Sequence, residues 1–162
     1  MANKAVFLDR DGTINRMLEN DYVKSWEEFE LLPGTAEAIR GLKAKGYLVI
    51  VITNQRGIGK GIMTEEDIEQ VHRRMCEELA LAGAYIDDIF YCPHNIEDDC
   101  SCRKPKPGLL LQAQAKWDID LERSFLIGDM DSDIEAGRAV GCATIKVQTD
   151  KGISTADLET IP

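Results

Sequence analysis

The sequence has no apolar run near the roughly 20 residues that a membrane-crossing helix needs, so no helical membrane span is expected. It also lacks a signal-peptide pattern. Met1-Ala2-Asn3-Lys4-Ala5 runs straight into a short apolar segment, with no hydrophobic region or cleavage site before it, and a cytoplasmic location is expected. An excess of positive charge is missing as well: 19 Lys and Arg stand against 29 Asp and Glu, a net charge of -10. Duplex binding draws much of its strength from neutralised phosphates, so this balance argues against a nucleic-acid partner. There is no internal repeat and no low-complexity segment. An even cysteine count is absent too; five cysteines in a chain with no secretory pattern argue against a disulfide framework and for metal binding.

What is there suits one globular domain spanning 1–162 with one core, expected as a monomer. The hydrophobic fraction is 44% and the charged fraction 30%. Short apolar segments alternate with helical ones. Ala5–Leu8 reads as a strand ending on Asp9. Thr35 to Lys45 reads as a helix with Gly46 as its stop signal. Leu48–Ile52 is continuously apolar, as a parallel strand covered on both faces should be, and it ends on Thr53-Asn54-Gln55. Thr64 looks like the cap of a helix that carries Ile68, Val71, Met75, Leu79 and Ala82 on one face. Ile86–Tyr91 is the next strand and Cys92 to Gly108 is irregular. A helix through Leu110 to Trp117 follows, then a strand Ser124–Ile127, a helix Asp133 to Val140 and a strand Ala143–Val147. From about Ser154 a loosely ordered end is expected. The alternation predicts an α/β fold, a doubly wound and mainly parallel sheet of the Rossmann-like kind. The intervals are filled by these elements, which leaves no room for an inserted cap domain.

In such sheets ligands bind beyond the carboxyl ends of the strands. Three strands here end on polar residues: Asp9 and Asp11, Thr53, and Asp129 with Asp133. A fourth segment, Arg103-Lys104-Pro105, precedes a helix at the same level. Acids, a hydroxyl and cations on one rim suit phosphoryl transfer, where a hard cation needs oxygen ligands and the non-bridging oxygens need donors.

Cys92, His94, Cys100 and Cys102 offer three thiols and one imidazole, the ligand set of a closed tetrahedral zinc site. No position is left open, so the zinc is expected to be structural. It would stiffen the loop 92–108 just ahead of Lys104. Cys76 and Cys142 sit in apolar surroundings and read as packing. His72 reads as a helix residue without a special role.

Asp9-x-Asp11-Gly12-Thr13, Thr53, Lys104 and Asp129-x-x-x-Asp133 resemble the four motifs of the haloacid dehalogenase-like phosphatases, over nearly the whole chain. The resemblance implies that Asp9 attacks phosphorus and forms an aspartyl-phosphate. Asp11 would protonate the leaving alcohol and then activate water. Mg²⁺ would be held by the Asp9 carboxylate, the Asp11 main-chain carbonyl and Asp129, with Asp133 fixing waters or neighbours. Thr53 and Lys104 would bind the phosphoryl oxygens. These cations would reverse the chain's negative charge locally for an anionic substrate.

The zinc loop, Thr53-Asn54-Gln55-x-Gly57-Ile58 and Asp21-Tyr22-Val23 are similar to the heptose-bisphosphate branch of that family. That resemblance implies a small sugar phosphate losing its 7-phosphate. Arg10, Glu19, Asn20, Asp21, Tyr22, Asn54, Gln55 and Arg56 would contact the substrate, and Arg103 would grip the second phosphate. Two departures bear on specificity: Asn15–Asp21 is slightly long, and Met130 stands where a basic residue is usual. The runner-up is the histidinol-phosphate branch. From other classes come a receiver domain holding a long-lived phospho-aspartate and a zinc-dependent nucleic-acid module.

Overall fold

The computed structural model describes residues 2–162. Five strands form one sheet: β1 (Ala5–Leu8), β2 (Leu48–Asn54), β3 (Asp88–Cys92), β4 (Phe125–Gly128) and β5 (Ala143–Lys146). Their order is β3-β2-β1-β4-β5, and every pairing is parallel. Leu8 is in register with Val51 on one side and Ile127 on the other.

Period-two alternation sorts the strand side chains onto two faces. Val6, Leu8, Val49 and Val51 pack with Ile39 and Leu42 of α1 (Thr35–Ala44) and Met75 and Leu79 of α3 (Glu65–Leu81). Ala5, Phe7, Ile50, Ile52 and Leu126 pack with Leu109, Leu110 and Ala113 of α4 (Gly108–Trp117) and Ala136 of α5 (Asp131–Ala139). All four residues of β1 are fully buried. Burying a side chain such as Val, Phe or Leu stabilises the fold by roughly 1.5–3 kcal/mol, so the central strand is firmly anchored. The chain winds one way from β1 to β3 and the other way from β4 to β5, placing the switch point beyond β1 and β4.

The capping box of α3 forms as its sequence implies: the Asp67 amide donates to the Thr64 hydroxyl, and the Thr64 amide donates to the Asp67 carboxylate. Two expectations need correction. Ala82 lies past the end of α3 and is exposed, because the helix stops at Leu81 before Gly83 takes φ +75°. The end of the chain is structured, forming α6 (Thr155–Glu159) with its own capping box between Ser154 and Asp157. Ile161 is buried against the first apolar cluster, and Lys45 Nζ donates to the Leu158 and Ile161 carbonyls. Between β1 and α1 the only helical structure is a short turn at Trp26–Glu28, so no cap domain is inserted there.

Candidate active site

The turn after β1 is shaped by Gly12, which takes φ +88°. A Cβ there would collide with the Asp129 carboxylate, so glycine lets the first and fourth strand ends close on each other. The Arg10 carbonyl accepts from the amides of Thr13, Ile14 and Asn15, which fixes the turn.

Lys104 is buried at the centre of the site. Its Nζ donates to Asp9 Oδ1 at 2.7 Å, to Asp133 Oδ1 at 2.5 Å and to the Ile52 carbonyl at 3.1 Å. Burial opposes its charge, but the Asp9 and Asp133 carboxylates outweigh that and hold the ammonium pKa above its ordinary value. Burial raises the Asp9 pKa well above the usual carboxylate range, with Lys104 offsetting only part of the effect. Asp133 also accepts from the Met130 amide at 3.1 Å, so one carboxylate caps α5 and faces Lys104.

Asp9, Asp129 and Asp133 each bring one carboxylate oxygen within 4.8 Å of the others. Three hard oxygen donors this close fit a small divalent cation such as Mg²⁺. Asp129 is held by Thr149, whose hydroxyl donates to Oδ2 at 2.7 Å, and by Thr13 at 3.5 Å. Thr149 was missed from the sequence, although its place just after β5, on the same rim, was a usable signal.

Asp11 accepts three hydrogen bonds: from Arg10 Nη2 at 2.8 Å and Asn15 Nδ2 at 3.0 Å on Oδ1, and from Gln55 Nε2 at 3.1 Å on Oδ2. Burial would raise its pKa, but the Arg10 charge and these bonds bring it below the usual value. Gln55 Nε2 also donates to Thr53 Oγ1 at 2.9 Å. With its oxygen thus engaged, the Thr53 hydroxyl has its own hydrogen free to donate.

An open pocket of about 610 Å³ lies over these groups. Glu19, Asn20, Asp21 and Tyr22 line it from the loop after β1, as expected, and Thr53, Asn54, Arg56 and Arg103 line the other side. Met17, Lys60, Met130 and Ser132 join them. Arg10 and Gln55 do not. Both are fully buried, and their side chains are turned onto Asp11, where they hold its carboxylate. Asn54 borders the pocket, but its amide is spent on Lys104, accepting from the Lys104 amide at 3.0 Å and donating to its carbonyl at 3.2 Å.

The four residues expected to hold zinc converge. Cys100 Sγ lies 3.4 Å from Cys92 Sγ and 3.6 Å from Cys102 Sγ, and His94 Nδ1 lies 3.6 Å from Cys92 and 3.2 Å from Cys102. Zinc bonds of about 2.3 Å to sulfur and about 2.0 Å to nitrogen give tetrahedral edges of roughly 3.5–3.8 Å, so the cluster fits that ion. The loop packs on the short helix α2 (Arg56–Gly59). Arg56 Nε donates to Asn95 Oδ1 at 2.5 Å, and a Cβ on Gly59 would lie 2.6 Å from the Asn95 nitrogen.

A family model described as "HAD-hyrolase-like" matches residues 101–162. A D-glycero-beta-D-manno-heptose-1,7-bisphosphate 7-phosphatase of Rhodopseudomonas palustris is 46% identical over 144 residues, 85% of this chain and 79% of that protein. A D-glycero-alpha-D-manno-heptose-1,7-bisphosphate 7-phosphatase of Mycobacterium tuberculosis is 38% identical over 164 residues, 96% of this chain and 86% of that protein. The crystal structure of D,D-heptose 1,7-bisphosphate phosphatase from B. bronchiseptica, complexed with magnesium and phosphate, superposes with a TM-score of 0.86 at 36% identity. It covers 98% of this chain and 88% of that one. With relatives this similar over this much of their length, the chain belongs to the haloacid dehalogenase-like phosphatases, within the family of these heptose-bisphosphate enzymes.

Proposed function

We propose that this protein hydrolyses the 7-phosphate of a D-glycero-D-manno-heptose 1,7-bisphosphate through an aspartyl-phosphate on Asp9. The observation that carries the reading is the placement of Asp9 at the switch point. It shares Lys104 with Asp133, faces an open pocket, and has Asp129 within reach to complete a cation site.

An Asp9 oxygen attacks phosphorus while Asp11 gives a proton to the departing alcohol, and water activated by Asp11 then cleaves the intermediate. Lys104 steers the Asp9 carboxylate and faces the incoming oxygens, and the Thr53 hydroxyl donates to one of them. Mg²⁺, when bound by Asp9, Asp129 and the Asp11 carbonyl, would supply charge neutralisation at the phosphoryl group. Zn²⁺ held by Cys92, His94, Cys100 and Cys102 would stiffen the loop that carries Arg103 and Lys104.

Arg56, Lys60 and Arg103 line the pocket beyond the nucleophile. A buried Arg103 nitrogen has no hydrogen-bond partner, which supports a second anionic group lying there. No helix among the described residues is long and apolar enough to cross a membrane. None of the five cysteines is in a disulfide, which suits a reducing compartment such as the cytoplasm.

Phosphate release from both anomers of the bisphosphate, from histidinol phosphate and from monophosphorylated sugars tests the reading. One heptose bisphosphate anomer should lead the panel in kcat/KM by at least about tenfold, the equivalent of 1.4 kcal/mol. Preference for histidinol phosphate would overturn the substrate assignment. Stable phosphoprotein with no turnover would overturn the hydrolase.

A further inference from the structure

Behind Asp11 lies a buried polar chain that the phosphatase reading does not use. Arg10 is fully buried, with Nη2 on Asp11 and Nη1 3.0 Å from His72 Nε2. The Phe29 ring lies beside its guanidinium, 5.9 Å away. His72 sits on the inward face of α3 with Ile68, Val71, Met75 and Leu79, where an apolar residue would pack as readily.

Arginine has donors only, so His72 must present a lone pair at Nε2 and carry its hydrogen on Nδ1. Burial and the Arg10 charge keep the imidazole neutral, its pKa lowered to about 3. The chain therefore runs in one direction: His72 accepts from Arg10, and Arg10 donates to Asp11. A carboxylate oxygen has two acceptor directions. Asp11 Oδ1 spends both, on Arg10 and Asn15, whereas Oδ2 spends one on Gln55. One direction at Oδ2 is left over in a residue that lines the pocket.

We propose that His72 is a positioning residue which, through Arg10, fixes the Asp11 carboxylate so that Oδ2 is the oxygen exchanging protons with the substrate. This rests on the general acid–base role given to Asp11 above. Against the effect of burial, Arg10 holds Asp11 ionised in the free site, and the negative phosphoryl group of the incoming substrate opposes that charge and favours a proton on Oδ2. In the first step this proton passes to the bridging oxygen as the phosphorus–oxygen bond breaks, the Asp9–phosphorus bond forms and the neutral alcohol leaves. In the second, water attacks phosphorus and gives its proton to Oδ2 as the Asp9–phosphorus bond breaks and inorganic phosphate departs. Without an acceptor at position 72 the guanidinium loses its far anchor and Asp11 loses its fixed torsion. The penalty falls on reactions whose leaving group needs a proton.

The test is kcat/KM, which for both substrates reports formation of the phospho-enzyme. Heptose 1,7-bisphosphate leaves as an alcohol that must be protonated; p-nitrophenyl phosphate leaves as a phenolate that need not be. General acid catalysis contributes typically 10²–10⁴-fold, and loss of positioning should forfeit part of it. His72→Leu should lose about 30-fold on the sugar substrate and under about threefold on the aryl substrate, with KM nearly unchanged. His72→Gln places an amide oxygen near the old Nε2 and should stay within about threefold of the parent on both. Equal losses on the two substrates, or a Gln variant as damaged as the Leu variant, would overturn the proposal. If His72→Leu does not fold, His72→Asn, one methylene too short for Arg10, takes its place against His72→Gln with the same expected split. Asp11→Asn separates the two readings. If it too shows no sugar-selective loss, the acid–base role of Asp11 fails; if only the His72 variants lack it, the positioning role alone fails.

Discussion

The phosphoryl site and the cysteine cluster lie at the same end of the molecule and are built in opposite ways. Asp9, Thr53 and Asp129 come from the ends of β1, β2 and β4, far apart in sequence, and parallel register brings them together, with Asp133 added from the first turn of α5. Asp9 and Asp133 share one buried ammonium, that of Lys104, and Thr149 holds Asp129. The four residues of the cysteine cluster fall within Cys92–Cys102: Cys92 closes β3, and the other three lie in a stretch whose only regular piece is a turn at Ile96–Asp98. The sheet fixes only the first of them, and the proposed zinc would fix the rest. The first region is therefore rigid because the core is, and chemistry can be removed from it without loss of fold. The second loses its shape when its ligands change.

Three changes sharpen that contrast, in order of expected effect. Asp9→Asn keeps the shape of the side chain, and Lys104 keeps Asp133 as a partner. It should lower kcat at least about 10³-fold with the melting temperature within a few degrees, since nucleophile removal costs several orders of magnitude. Activity within tenfold of the parent would refute the nucleophile. Cys100→Ser should do the reverse: release about one zinc per chain by metal analysis and lower stability by several kcal/mol, since structural zinc binding is folding free energy. Magnesium affinity should change by less than about threefold; a larger fall would mean that the two regions are not separable. Asn54→Ala cuts the link between them, because this β2 residue grips the Lys104 main chain from both sides. Leaving buried polar groups unpaired costs about 1–3 kcal/mol, and Lys104 should shift enough to lower kcat by roughly tenfold. If denaturation and kinetics are both unchanged, Lys104 is placed by the zinc loop alone.

The same contrast explains what could be read from the sequence. Apolar runs ending in acids or threonine announced strand ends, and parallel topology turned that list into a site, so Asp9, Thr53, Asp129 and Asp133 were legible. The cysteine cluster was legible for a different reason: its ligands are close in sequence and chemically distinctive. Illegible were the directions of side chains beside them. Arg10 stands between Asp9 and Asp11, and nothing in that motif says that its side chain turns inward to His72. Alternation along an extended chain already hinted that it would face away from its two neighbours. The partners of Gln55 and Asn54 were equally hidden, because an amide at a strand end serves substrate and scaffold equally well, and only the neighbours decide. His72 carried no motif at all; its partner lies 62 positions away and only packing joins them. The end after Ser154 looked polar and loose, yet its capping box and Ile161 were enough to dock it.

The contact between Gly59 and residues 93–95 of the cysteine loop constrains any reshaping of the pocket. With main chain against main chain, α2 and residues 93–95 cannot vary independently: any side chain at position 59 would push the loop away and carry Arg56 with it. Loop grafting from a relative should therefore exchange residues 56–59 and 92–102 as one cassette, because swapping either alone would transplant a pocket-lining segment without the surface that aims it.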